Sequence, residues 1–286
     1  MAKRRGDAAP RAIRYASADA FLARAEPWLL AGEVENNVVL GLALARRGRT
    51  EPGVWFATLE RGDELLGCAL RTPPRGVLLT RAPRDALAGL LAGLGAEAAS
   101  LPSVVGPEPA AGELAALWSD AFGRPSQPRV RQRLYELRSV APFAPQATGA
   151  LRRAGEADLD LLRRWVGAFL AEATPADPAA PDALARERLA SGSLHLWEDG
   201  EPVAMAGSTG STPNGVRVSL VYTPPALRGR GYAKACVAAL SSRLLAEGRR
   251  YCCLYADLAN PASNAVYRRI GYRPVSDAAE YELGGA

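Results

Sequence analysis

The segment Val221-Tyr-Thr-Pro-Pro-Ala-Leu-Arg-Gly-Arg-Gly-Tyr-Ala-Lys234 constrains this chain more than any other. Apolar residues up to Tyr222 read as a strand, Pro224-Pro225 as a turn, and the apolar spacing over 230–248 as a long helix. A helix entered this way leaves its first N–H groups without intrahelical acceptors, and they point outward with the positive end of the dipole. Gly229 and Gly231 let an anion approach with no Cβ in the way, and Arg228 and Arg230 add positive charge. The segment predicts an anion-binding turn.

The rest of the chain supplies the scaffold. At 286 residues it exceeds a usual single domain and divides into two. Before the middle, helical spacing at 20–30 and 33–46 is followed by short strands at 54–60, 65–71 and 76–81, helices at 83–94 and 108–121, and a strand at 131–140. After it come a strand at 150–153, helices at 156–173 and 181–191, strands at 194–198, 202–211 and 216–222, the long helix, and a strand at 251–256. A short helix at 261–270 and a strand pair at 272–275 and 279–283 complete the order. Residues 141–149 hold two prolines and no periodicity, which marks 1–140 and 150–286 as separate domains. Both halves show the order αα-βββ-α. The expected fold is α+β, a diverged tandem duplication with a central, mostly antiparallel sheet flanked by helices in each half.

Composition narrows the function. With 48% apolar and 23% charged residues the chain can bury globular cores. Its longest apolar stretches, 38–45 and 236–240, fall short of the roughly 20 residues of a membrane span. Residues 1–5 are basic, but 6–14 supply no apolar run for export, so a cytoplasmic location without membrane contact is expected. Cys68, Cys236, Cys252 and Cys253 lack CxxC spacing, which argues against disulfides and metal. The net charge of +5 is scattered among acids, so attraction to an anionic cofactor suffices and no nucleic-acid partner is expected. The lone His195 has no Ser or Cys partner in a recognisable elbow and is assigned no catalytic role.

Three anion loops compete for the 221–234 segment. A nucleotide P-loop needs GxxxxGK followed by Ser or Thr, which is absent. A dinucleotide fingerprint fails because Lys234 stands at its third glycine, and the acid at suitable distance, Glu247, falls inside a helix. A coenzyme A loop is the third. Arg228-Gly-Arg-Gly-Tyr-Ala233 resembles the R-x-x-G-x-G/A loop of the GNAT superfamily of N-acetyltransferases. One helix and one strand later, Asn260-Pro-Ala-Ser-Asn-Ala-Val-Tyr-Arg-Arg-Ile-Gly-Tyr272 resembles that family's N-x-x-A/S-x-x-x-Y-x-x-x-G-F/Y segment. The two motifs and the strand order together cover nearly all of 150–286, with a degenerate GNAT-like companion domain before it.

The resemblance implies acetyl-CoA as co-substrate, no metal, and direct attack of a neutral amine on the thioester. Tyr267 would protonate the departing thiolate, although its place beside Val266 and Ile270 also suits a packed aromatic. Val221, Tyr222 and Thr223 would offer backbone groups to the pantetheine arm and the acetyl oxygen, and Arg228, Gly229, Arg230, Gly231, Tyr232 and Ala233 would hold the pyrophosphate. Asn260 suits both cofactor contact and a helix cap with Pro261 at N1, while Gly271 suits a helix stop.

The strand 217–222 departs from the family pattern, for it carries no carboxylate. Glu172 and Asp257 are then candidates for the general base, with Ser219 as an alternative that positions a water. The acceptor is an amine of a small molecule or peptide, met by the lip at 172–182. A non-catalytic acetyl-CoA sensor or interaction module is the competing reading. In the first half, Thr80-Arg-Ala-Pro-Arg-Asp85 has no glycine before its helix, so no coenzyme A is expected there. Monomer and homodimer both fit.

Overall fold

The computed structural model describes residues 8–142, 147–173 and 179–284. The central part of the 172–182 lip and part of the 141–149 linker lie outside the described residues. Among the described residues, twelve strands and eight α-helices follow one another in two passes of the same order. The first pass is β1 (Arg11–Tyr15), α1 (Ala18–Ala31), α2 (Asn37–Leu44), β2 (Trp55–Arg61), β3 (Glu64–Arg71), β4 (Val77–Leu79), α3 (Arg84–Leu94), β5 (Ser103–Pro107), α4 (Ala110–Phe122) and β6 (Ser126–Leu137). The second is β7 (Ala150–Arg153), α5 (Leu159–Ala173), α6 (Pro181–Ala190), β8 (Leu194–Asp199), β9 (Glu201–Thr209), β10 (Gly215–Tyr222), α7 (Tyr232–Ala246), β11 (Tyr251–Asp257), α8 (Pro261–Ile270) and β12 (Arg273–Leu283). The mixed α+β class and the repeated order agree with the sequence reading.

Two compact units form: the chain up to Leu134 together with the stretch from Val275, and Tyr135–Pro274. In the first unit the strands lie in the order β1-β2-β3-β4-β5-β12-β6, with β4 and β5 parallel. On one sheet face Phe21, Leu22, Leu29 and Leu40 of α1 and α2 meet Phe56, Cys68 and Leu70; on the other, Leu87, Leu90, Leu114 and Trp118 of α3 and α4 meet Ala57, Leu59 and Val104. In the second unit β11, β10, β9, β8 and β7 lie side by side, β10 and β11 parallel, with the end of β6 beside β11. Trp165, Val166, Leu170 and Leu189 of α5 and α6 cover one face. Val237, Leu240, Leu244 and Ile270 of α7 and α8 cover the other.

Local chemistry sets the ends of α8. The Asn260 side chain accepts the Ser263 N–H at 3.0 Å, Pro261 sits at N1, and Gly271 at φ +110° closes the helix in the left-handed region. An added Cβ at Gly271 would come within 3.1 Å of the Ala141 backbone nitrogen.

Three features differ from the sequence reading. β1 and β5 appear where no strand is predicted. The predicted terminal strand pair is one strand, β12, because Asp277 faces a cross-strand partner instead of a turn: its carboxylate accepts from Arg133 Nε at 2.7 Å and Nη2 at 2.9 Å. And β12 pairs antiparallel with β5, Ala278 opposite Pro107 through Glu282 opposite Ser103. The units therefore divide after Leu134 and Pro274, not at 141–149. No helix among the described residues is long and apolar enough to cross a membrane.

Candidate active site

β10 sets the geometry of the site. It pairs with β9 with Ser219 opposite Gly207 and Tyr222 opposite Met205, so β10 carries one extra residue there. Leu220, at φ +50°, is the strained point of this bulge. The bulge re-aims the strand. Val216 and Val218 lie in the core under α7, whereas Leu220 and Tyr222, in step with them by number, lie in the core under α5 and α6. The parallel pairing with β11 runs only over 215–217 against 251–253, although the strands continue to Tyr222 and Asp257. Beyond Arg217 the two strands no longer pair.

At the end of this strand Thr223 is buried, and its Oγ1 has no hydrogen-bond partner among the described residues. An orphaned buried hydroxyl is costly and calls for an explanation. A single 3-10 turn at Pro225–Leu227 then leads to Gly229 at φ +80° and to Gly231 at φ +86°, which is the N-cap of α7. A Cβ added at Gly229 would meet nothing within 4 Å, so the turn is open on that side. Gly231 caps with no side chain, which leaves the first-turn N–H groups, including those of Tyr232 and Ala233, directed away from the helix.

The side chains of the turn are more engaged than their sequence suggests. Arg228 folds back along β10: its Nε donates to the Thr223 carbonyl at 2.9 Å, and its Nη2 to Glu172 Oε2 at 2.6 Å. Tyr232 donates to Asp199 Oδ2 at 2.9 Å, and Arg230 Nη2 to the Ala226 carbonyl at 3.4 Å. Among the residues nominated as base, Glu172 is thus held by the turn's own arginine. Asp257 accepts the Ala259 N–H at 2.8 Å, closing the turn after β11. Ser219 stays on β10 beside the bulge.

Tyr267 is buried among Tyr135 and Tyr272, with ring centroids 6.4 and 6.0 Å away, in the same core cluster that Val221, Leu227 and Tyr232 pack against. Its hydroxyl makes no hydrogen bond among the described residues. Burial pushes the phenol up to about 12, so it stays protonated at neutral pH. Asn260 is a helix cap by its side chain. The polar anchor the sequence reading missed is Asn264, which donates to the Asp257 and Asn260 carbonyls at 2.7 Å each and accepts from the Tyr135 hydroxyl at 2.8 Å. A buried asparagine on the apolar side of α8 is the signal; its partner Tyr135 lies 129 residues away.

His195 lies outside this constellation. It is buried on β8, with Nδ1 lacking a hydrogen-bond partner among the described residues, and burial first, then Arg243 and Arg153, pushes its pKa down to about 4. The four cysteines are buried, and no disulfide joins them among the described residues. Among the described residues no three His, Cys, Asp or Glu side chains gather to hold a metal ion.

Comparison with known proteins agrees with this fold. Residues 160–272 match the acetyltransferase (GNAT) family. Among solved structures, a Drosophila protein aligns over 96% of this chain and 98% of its own at 14% identity, TM-score 0.66. A GCN5-related N-acetyltransferase from Sphaerobacter thermophilus aligns over 98% and 96% at 15% identity, TM-score 0.61. A tandem GNAT protein from the clavulanic acid biosynthesis pathway aligns over 97% and 99% at 13% identity, TM-score 0.56. At such identities the likeness is one of fold. No curated protein matches the chain. The glycine turn, the bulged strand and Tyr267 thus all stand within the stretch that matches the acetyltransferase (GNAT) family, and the unit before it repeats the same order of elements.

Proposed function

We propose that the second unit transfers the acetyl group of acetyl-CoA to an amine of a small molecule or peptide. The open glycine turn at the start of α7, directly after the orphaned Thr223 hydroxyl, is the observation that carries this reading. It offers backbone donors and positive helix-end potential to the pyrophosphate of coenzyme A, with Gly229 leaving room for its oxygens. The parted end of β10 offers the backbone of Val221, Tyr222 and Thr223 to the pantetheine amides and to the acetyl oxygen, where fixed donors stabilise negative charge as it develops.

The reaction needs no covalent enzyme intermediate. The amine nitrogen attacks the thioester carbonyl, the C–N bond forms, and the C–S bond breaks as Tyr267 gives its proton to sulfur. A phenol kept protonated by burial is available at that moment, and such a positioned acid contributes about 10² to 10⁴ in rate. We assign removal of the amine's proton to a water held at Ser219, since Glu172 is engaged by Arg228 and Asp257 by the Ala259 amide.

The test is thiol release from acetyl-CoA across a panel of amines. Amine-dependent release is expected, with kcat reduced about 100-fold in Tyr267→Phe and donor KM raised about tenfold in Gly231→Val, where a branched side chain meets a left-handed backbone. Tight donor binding without amine-dependent release would make the chain a sensor and sink the enzyme reading.

A further inference from the structure

The two glycines that open the donor turn also loosen it, because glycine loses more conformational freedom on ordering than any other residue. Among the described residues, the backbone-to-backbone ties between Thr223 and α7 are Leu227 N–H to Pro224 O at 2.9 Å and Arg228 N–H to Pro225 O at 3.3 Å, both before Gly229. What fixes the turn is side chains. Tyr232, just after the glycines, is tied to Asp199 at 2.9 Å. Arg228, just before them, is tied to Thr223 and Glu172.

The second tie is built into α5. Trp165 and Glu172 stand two helical turns apart on one face. Trp165 packs on the Tyr222 ring with centroids 6.0 Å apart, and the Arg228 guanidinium lies 5.8 Å from the centroid of that same ring. The helix thus grips the end of β10 twice, by its indole on Tyr222 and by its carboxylate on Arg228. The arginine is turned back onto this grip, with its Nε and Nη2 occupied.

We infer that Glu172 is a positioning residue that acts through Arg228, holding the glycine turn in the shape that receives the donor. This rests on the acetyl-CoA reading above. It assigns Arg228 to shaping the turn's backbone donors and Glu172 to keeping that arginine in place.

The experiment combines coenzyme A binding by calorimetry with steady-state kinetics on the full chain, Glu172→Gln, Arg228→Gln and the double variant. Each single change is expected to weaken donor binding and raise donor KM about 3- to 5-fold, the scale of a half-exposed ion pair. The double variant is expected to be no worse than the weaker-binding single, since both remove one link. Turnover at saturating donor should stay within about twofold, with the pH profile of kcat unmoved. Tyr232→Phe, which cuts the other tie, should raise donor KM in the same way. Unchanged or tighter donor binding in Glu172→Gln, or additive losses in the double variant, would overturn the inference. So would a large fall in kcat with loss of the pH limb on which activity rises, the signature of a base. A wild-type chain that takes up no coenzyme A would overturn the donor reading itself, and with it this inference.

Discussion

The two units run through one order of elements and part company at the carboxyl end of their first parallel strand. In the first unit β4 ends at Leu79 and is followed by Thr80, whose Oγ1 accepts the Cys68 N–H at 2.7 Å. In the second, β10 ends at Tyr222 and is followed by Thr223, whose Oγ1 is buried and unpartnered. Four residues after its threonine the first unit is already in α3, entered from Pro83, which has no N–H to offer. The second spends its extra residues on a turn with two left-handed glycines. Further on, α4 and α8 both stop at a left-handed glycine, Gly123 and Gly271; four residues before it stands Ser119 in one and Tyr267 in the other. Ser119 is spent on Ser126, at 2.9 Å, whereas the Tyr267 hydroxyl is unspent. The first unit closes these polar groups on itself, and the second leaves them without a partner among the described residues.

The sharpest way to break this comparison is a pair of hydroxyl deletions. Tyr267→Phe should cost about 10² or more in kcat while leaving the urea midpoint nearly unchanged, because the hydroxyl has no partner to lose. Ser119→Ala should leave kcat at the wild-type value, and a fall there would place the first unit in the chemistry.

The next effect concerns acid. The chain's one histidine, His195, belongs to the second unit and is held near pKa 4 by burial. An unfolded chain takes up its proton near pH 6.5, so stability is full above that value and declines as pH falls from about 6.5 to 4. The loss is about 3 kcal/mol, levelling off below pH 4. Urea midpoints across this range should show the slope, and His195→Leu should flatten it.

A smaller effect separates the two C-terminal helices. Asn260 caps α8 by its side chain, while α4 begins after Pro109 with no side-chain cap. Asn260→Ala should cost about 1 kcal/mol by chemical denaturation. A tenfold or greater loss of donor affinity in the same variant would show that Asn260 also touches the donor.

What the sequence made legible follows from range. The bounds of α8 and the turn around Gly231 depend on neighbours within a few residues, and both can be read directly. β1 and β5 were missed because each is five residues long, β1 with charges at 11 and 14, β5 broken by Gly106 and Pro107. Their strand character comes from partners across the sheet. The choice of β5 by β12 joins residues far apart in sequence and leaves no local trace. The same holds for the site. The glycines, Tyr267 and Asn260 announce themselves, but a lone glutamate at 172 carries no sign of its arginine 56 residues on.

The central claim is that only the second unit has kept a donor site, and amide hydrogen exchange of the intact chain with and without acetyl-CoA tests it most directly. The account predicts slowed exchange over 221–235, at the end of β10 and the first turn of α7, with 80–86 unchanged. Slowing at 80–86, or at neither segment, would contradict it.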